Sequence, residues 1–393
     1  MKKTTLPVIL AFLLLSCNSG EKSSSTVSGN LKKLIEKGPV TLDLDNKTPA
    51  QDILLQEVAD VSYIPLETTD DVLLAQFKYV AAITDSLVLI RNGFYEFVTF
   101  NSDGTILSQF NKRGESRQEY TSAAIHSYDK QAKEFYIVDG AAQRIQVYSL
   151  DGKYNRTIPF QSANQVSFLA KIGEPLLMYE NYESYTEMNK DTVLQPYIVY
   201  SEKEENLSRL DITITDPVST KVRTGEFITL SPNRSILAYG DGFLLFNNSI
   251  DTVHYFTQER EIKPIIAIEP TIKQTNSILD MYFVCDSYLF LEQTMKTPRP
   301  GKTGKDSEAL AFDFKTGDLF PYKFVNQDFP TQKDINLFWR PQAPKNVLTS
   351  LIEAGDILDA YDEGKLSGTL KELAPTLDAD DNPVLMIVKF HEN

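Results

Sequence analysis

The sequence predicts an all-β protein, a six-bladed β-propeller closed by its N- and C-terminal strands, with short helices near the C-terminus. Three observations carry this. The first is an internal repeat. "LVLIRNGFYEFVTFNSDGTILSQF" from residue 87 and "FYIVDGAAQRIQVYSLDGKYNRTIPF" from residue 135 align at a shift of 48 residues, so that Leu87 meets Phe135, Ile90 meets Val138 and Phe100 meets Tyr148. Asp103-Gly104 meets Asp151-Gly152 in the same alignment, and such pairs suit tight hairpins because Gly tolerates positive φ. The second is recurrence: "ALAFDFKTGDLFPYKF" (309–324) is a third copy, and weaker units read over about 167–211 and 226–268. Several strands per unit at a period of roughly 45–50 residues is the pattern of propeller blades. The third is what remains. Five units fit between about 85 and 325, leaving "VSYIPLE" (61–67) and "PVLMIVKF" (383–390) to pair as a sixth and so remove the free edges of the ring.

Each segment has its own justification. Residues 1–16 carry Lys2 and Lys3 and then an apolar run from Leu6 to Leu15, a charged start and a hydrophobic core too short for a permanent membrane span. Ser16 directly precedes Cys17, which resembles the lipobox of bacterial lipoproteins, although Leu15 is bulkier than the usual neighbour. That resemblance implies cleavage before Cys17 and diacylglycerol on its thiol, with palmitate-type chains holding the protein to a membrane. Residues 17–38, rich in Ser and Gly at their start, read as a flexible tether, and 39–393 as the propeller. Within it, 343–374 reads as a helical insertion. Leu348, Leu351, Ile352 and Leu358 form one stripe at helical spacing, and Leu366, Leu370 and Leu373 a second.

Composition narrows the function. With 39 basic and 54 acidic residues the net charge is −15, which phosphate backbones would repel, so nucleic acid is excluded as a partner. Only two cysteines occur; with Cys17 lipidated, Cys285 stands alone in the apolar run "MYFVCDSYLFL", where a buried small hydrophobe is expected.

The chain resembles the six-bladed, NHL-repeat-like β-propeller lipoproteins of Bacteroidales. The matching pieces are "VSYIPLETT", "FNSDGTILSQFNKRGESRQEY", "FYIVDGAAQRIQVYSLDGKY", "DTVHYFTQEREIKP" and "DDNPVLMIVKF", in the expected order across nearly all of the mature chain. The family's Gly-x-Gly-x-x-Glu-Tyr loop after the first blade keeps one glycine here, Gly114, ahead of Glu119-Tyr120. The resemblance implies architecture and an envelope address rather than an activity. Asn18, rather than Asp, after Cys17 gives no reason for inner-membrane retention, so the outer membrane is expected, periplasmic or surface-facing.

No H-E-x-x-H, G-x-S-x-G, Walker loop or paired-Cys motif occurs, and nothing calls for a cofactor or metal. The three histidines, His126, His254 and His391, lack metal spacing; His126 could face the channel, or be a satisfied strand histidine. Three loops are candidate binding surface. "NKRGESRQEY" should bring Arg113 and Arg117 together on one face. "TMKTPRPGKTGKDSE" carries Lys296, Arg299, Lys302 and Lys305, either to capture an anion or as a solvated hairpin. "MYENYESYTEM" spaces Tyr179, Tyr182 and Tyr185 by three, either a sugar platform centred on Tyr182 or packing between blades. Two function classes follow: a monomeric, non-catalytic binding or scaffold propeller for a glycan, peptide or envelope protein, and a saccharide- or lactone-directed lyase or hydrolase at the channel mouth.

Overall fold

The computed structural model describes residues 30–160, 166–171, 176–181, 193–203, 205–230, 235–302, 304–332, 335 and 343–392. Tyr182, Tyr185 and Cys17 lie outside them. The chain enters through helix α1 (Asn30–Lys37) and three strands, β1 (Val40–Asp43), β2 (Gln51–Leu54) and β3 (Ala59–Pro65), with helix α2 (Leu55–Val58) between the last two.

Five consecutive sheets follow. The first blade is β4 (Lys78–Ile83), β5 (Leu87–Asn92), β6 (Glu96–Asn101) and β7 (Ile106–Asn111); the second is β8 (Ile125–Asp129), β9 (Glu134–Asp139), β10 (Arg144–Ser149) and β11 (Tyr154–Pro159). The third is β12 (Val166–Lys171), β13 (Leu176–Glu180), β14 (Tyr197–Ser201) and β15 (Asn206–Arg209), followed by a separate hairpin, β16 (Lys221–Thr224) and β17 (Phe227–Leu230). Then come the fourth, β18 (Ile236–Tyr239), β19 (Gly242–Asn247), β20 (Ile250–Phe256) and β21 (Ile262–Glu269), and the fifth, β22 (Ser277–Val284), β23 (Tyr288–Met295), β24 (Ser307–Asp313) and β25 (Leu319–Val325). The sixth is β26 (Val347–Ile352), β27 (Val384–Phe390) and β3, in that order.

The sixth blade is the predicted closure. β3 lies antiparallel to β27, with Val61 opposite Val388 and Pro65 opposite Val384. The sequence did not reveal how much further the N-terminal segment reaches. β1 adds a parallel fifth strand outside β21, and β2 does the same outside β25, so one strap sews the rims of three successive blades. The expected tether is shorter than 17–38, because α1 is helical and buries Leu34 between the fourth and fifth blades.

The helical reading of 343–374 is also corrected. Leu348, Leu351 and Ile352 belong to β26, and the helices are α3 (Ala354–Asp362), which carries Leu358, and α4 (Gly368–Leu373), which carries Leu370 and Leu373. An i, i+4 pair shares one face of a strand as well as of a helix. Leu348 and Ile352 are such a pair facing the fifth blade, while Val347 and Leu351 face the first. The two short helices pack on the fifth- and sixth-blade core through Ile357, Ala360 and Leu370.

The core is six apolar clusters, one in each seam between adjacent blades among the described residues. Side chains alternate along each strand: in β9, Phe135 and Ile137 face the first blade while Tyr136 and Val138 face the third. Middle strands are therefore apolar on both faces, as in the fully buried β5, whereas the outer β7 alternates with solvent. The Asp-Gly turns earn their period here. Gly104 and Gly152 have φ of 89° and 76°, and a Cβ on Gly152 would lie 2.5 Å from Phe110 of the preceding blade. Gly104 nests in the same way against Ile64 and Pro65, across the closing seam. Cys285 is buried in the fifth- and sixth-blade core, as expected, and burial pushes its thiol up to about 12.

Candidate functional site

Antiparallel blades sort their connections. Links between the second and third strands, and those from blade to blade, emerge on one face, here called upper; links between the first and second strands emerge on the lower. Two of the three loops singled out from the sequence belong to the upper face: 112–124 joins blades one and two, and 296–306 joins β23 to β24; the third, between β13 and β14, lies outside the described residues over 182–192.

The 112–120 loop is pinned by its own side chains. The Tyr120 hydroxyl donates to Tyr95 O at 2.5 Å and accepts from Lys112 N at 3.0 Å. The Glu119 carboxylate accepts from Ser116 N at 2.9 Å, and that bond holds it below the usual carboxylate range. A Cβ on Gly114 would meet this carboxylate, so a larger residue there would push the Glu119 side chain aside. From the second blade, Arg144 donates to Glu119 O, Gln146 to Arg117 O and Tyr148 to Gln118 O, at 2.9, 2.8 and 2.8 Å. The two arginines take separate paths. Arg113 lies over the Tyr95 ring, 4.1 Å from its centroid, while Arg117 extends its side chain into solvent.

In the 296–306 loop the Arg299 fork already has a partner. Its Nη2 and Nε donate to Asp306 at 2.6 and 2.8 Å, and its own backbone N–H adds a third bond at 2.9 Å. This grip holds the Asp306 carboxyl far below its ordinary value. Lys305 pairs with Glu292, and Lys296 is half-buried, its pKa lowered by desolvation, with its carbonyl bonded to Arg223 N at 2.9 Å. Of the tyrosine-spaced stretch, Tyr179 is described and is buried; its hydroxyl accepts from Asn247 Nδ2 at 2.5 Å and its ring meets Tyr197 edge-on at 5.3 Å.

The first strands of blades one to five and the start of β26 surround a central channel with a cavity of about 140 Å³, lined by Ala81, His126, Leu169, Leu237, Val284 and Val347 among others. His126 does face it. Its Nδ1 lies 3.1 Å from Ala123 O, a bond in which the ring nitrogen must donate, and its ring packs against Tyr79 and Phe97. Burial brings its pKa down to about 4, so the ring is neutral near pH 7. At the lower mouth Lys171 meets Glu202 at 3.3 Å and Lys345 meets Asp286 at 2.6 Å. Asp286 also accepts from Asn346 at 3.0 Å and from the Tyr239 hydroxyl, joining blades four, five and six. Among the described residues, no three His, Cys, Asp or Glu side chains are placed to share a metal ion.

Sequence reasoning missed an exposed aromatic pair on the upper face. Phe77 and Phe94 stack at 5.1 Å between centroids and 19° between planes, with Phe94 62% exposed. The signal was present in "RNGFYEF", an aromatic directly after the glycine between β5 and β6. Beneath it Arg91 is buried, donating to the Tyr79 hydroxyl at 2.7 Å and to Phe94 O at 2.9 Å.

With this geometry in hand, comparison assigns a family. A model described as "Domain of unknown function (DUF4934)" matches residues 39–389. The chain belongs to that family. Among solved structures, a Bacteroides fragilis protein named "putative exported protein" is similar over 90% of this chain and 100% of its own, at 14% identity and a TM-score of 0.61. A member of the DUF4221 family from Bacteroides vulgatus covers 85% of this chain and 97% of its own at 8% identity and a TM-score of 0.45. No curated protein matches. The first likeness shows a shared fold.

Proposed function

We propose that this DUF4934 protein is a lipid-anchored envelope protein whose propeller binds a glycan, peptide or protein partner on its upper face without transforming it. The exposed Phe77–Phe94 stack carries the reading: solvent-facing aromatics in contact with each other are costly to hydrate and gain most from being covered. The loop beside it is rigid rather than floppy, so binding would order little new structure. The direction of chain entry supports the same face. β1 runs parallel to β21, whose start is on the lower side, so a tether from Cys17 would reach the propeller from below and leave the upper face turned outward. The named export of the Bacteroides fragilis neighbour supports an envelope address for this chain, periplasmic or surface-facing at the outer membrane.

Site-specific photo-cross-linking in intact cells tests the reading. A photoreactive phenylalanine at Phe94 should give a discrete adduct, and one at Lys130, in a lower-face turn, should not. Adducts of equal yield from both faces, or none from Phe94, would overturn it.

A further inference from the structure

We infer that the seam between the sixth and first blades holds a binding site for a neutral sugar residue, the terminal unit of a glycan. The inference deepens the proposed function by naming a ligand class and a place. Between β4 and β26 lies a cavity of about 160 Å³, lined by Gln76, Lys78, Tyr79, Thr349, Ser350 and Glu353. It is built entirely from described residues and sits on the upper side, where the end of β26 meets the start of β4.

Its wall is polar and partly unanswered. Thr349 is 5% exposed and its Oγ1 has no hydrogen-bond partner among the described residues. By the alternation of β26, Thr349 shares the face of Val347 and Leu351, the face that looks toward the first blade and the cavity. A buried hydroxyl without a partner costs about 1–3 kcal/mol, so its persistence in a polar cavity points to something that bonds it there. The edge of β26 away from β27 pairs with no described strand, which leaves its backbone groups beside the same space.

Charge selects the ligand. Lys78 Nζ lies 2.8 Å from the Glu353 carboxylate, so the one cation and the one anion at the cavity cancel. An ionic ligand would face a charge already neutralised, and its desolvation would go uncompensated. Hydroxyls, which both donate and accept, match the set: hydroxyl from Thr349, amide from Gln76, remaining ammonium donors from Lys78 and carboxylate lone pairs from Glu353. The next units of a chain would lie at the rim near Phe77, whose neighbours Gln76 and Lys78 line the cavity. There the stacked, exposed Phe77 and Phe94 offer a face for the C–H side of a sugar ring.

Calorimetric titration of the full chain in detergent with xylohexaose, maltohexaose and cellohexaose, against hexagalacturonate, tests the inference. At least one neutral hexaose should bind, and Thr349→Val should weaken it tenfold or more while leaving the melting temperature unchanged or raised, since it deletes only an unpartnered hydroxyl. Should Thr349→Val fold poorly, Gln76→Ala serves as the second variant and Phe94→Ala as the rim variant, each weakening binding several-fold. Binding of hexagalacturonate alone, binding indifferent to Thr349→Val and Gln76→Ala, or no binding would overturn the site. A cavity holding only water gives a lowered melting temperature in Thr349→Val with no sugar effect, which also overturns it. An adduct at Phe94 in the cross-linking experiment would survive each of these failures, so the two claims fall separately.

Discussion

Asn382 is the residue whose loss should show most plainly that the ring is closed where the structure closes it. Its Nδ2 donates to Glu67 O at 2.8 Å and to Val72 O at 2.9 Å, and its Oδ1 accepts from Leu74 N at 2.8 Å. Its own N–H reaches Thr68 Oγ1 at 2.8 Å. One buried side chain thus holds the segment that leads from β3 into the first blade. Asn382→Ala removes three side-chain hydrogen bonds and strands their backbone partners. At about 1 kcal/mol for each bond, a loss of roughly 2–4 kcal/mol is expected. A chain of about 350 ordered residues has an unfolding entropy near 0.7 kcal/mol/K, so the melting temperature should fall by about 3–6 °C. Asn382→Asp is the sharper variant, because it keeps the acceptor for Leu74 N but turns an anion toward two carbonyl oxygens. It should destabilise at least as much at pH 7 and recover part of the loss in acid, where a protonated carboxyl can donate again. Scanning calorimetry of the three proteins is the assay. A shift below 1 °C for both variants would refute the account of the closing seam.

Three further outcomes are expected. Gly152→Ala forces a side chain into a left-handed backbone with φ of 76° and against Phe110, costing about 2–4 kcal/mol by chemical denaturation, whereas Gly140→Ala, with nothing within 4 Å, should stay within about 0.5 kcal/mol of wild type. His126 is held near a pKa of 4 against 6.5 when exposed, so its contribution is intact above pH 6.5 and is lost as pH falls toward 4, because the unfolded chain takes the proton first. That loss amounts to about 3 kcal/mol, and His126→Phe should flatten the stability profile over this window. Cys17→Ala should release the protein from the membrane fraction and abolish labelling by fatty-acid analogues; unchanged fractionation would refute lipid anchoring.

The fold was legible because blades are local. Each Asp-Gly hairpin and each alternating strand is written in adjacent residues, and the pairing of 61–67 with 383–390 followed from needing to close a ring. The strap strands β1 and β2 were not legible, since "VTLD" and "QDIL" are four residues each and gain their strand identity from edges more than 200 positions away. β26 was misread because its apolar spacing fits both periods. The site was less legible still. Arg299 looked like an available anion clamp, and only the folded loop shows Asp306, seven residues on, filling its fork. Thr349 gave no sign at all in the sequence, for an unpartnered hydroxyl is a property of its surroundings.

Hydrogen–deuterium exchange of the full chain, with and without its bound ligand or cross-linked partner, tests the central claim most directly. The account predicts slowed exchange confined to the upper face, at 76–79, 92–96 and 112–120, with the lower turns at 84–86 and 130–133 unchanged. Protection at those lower turns, with the Phe77–Phe94 region exchanging as in the free protein, would contradict it.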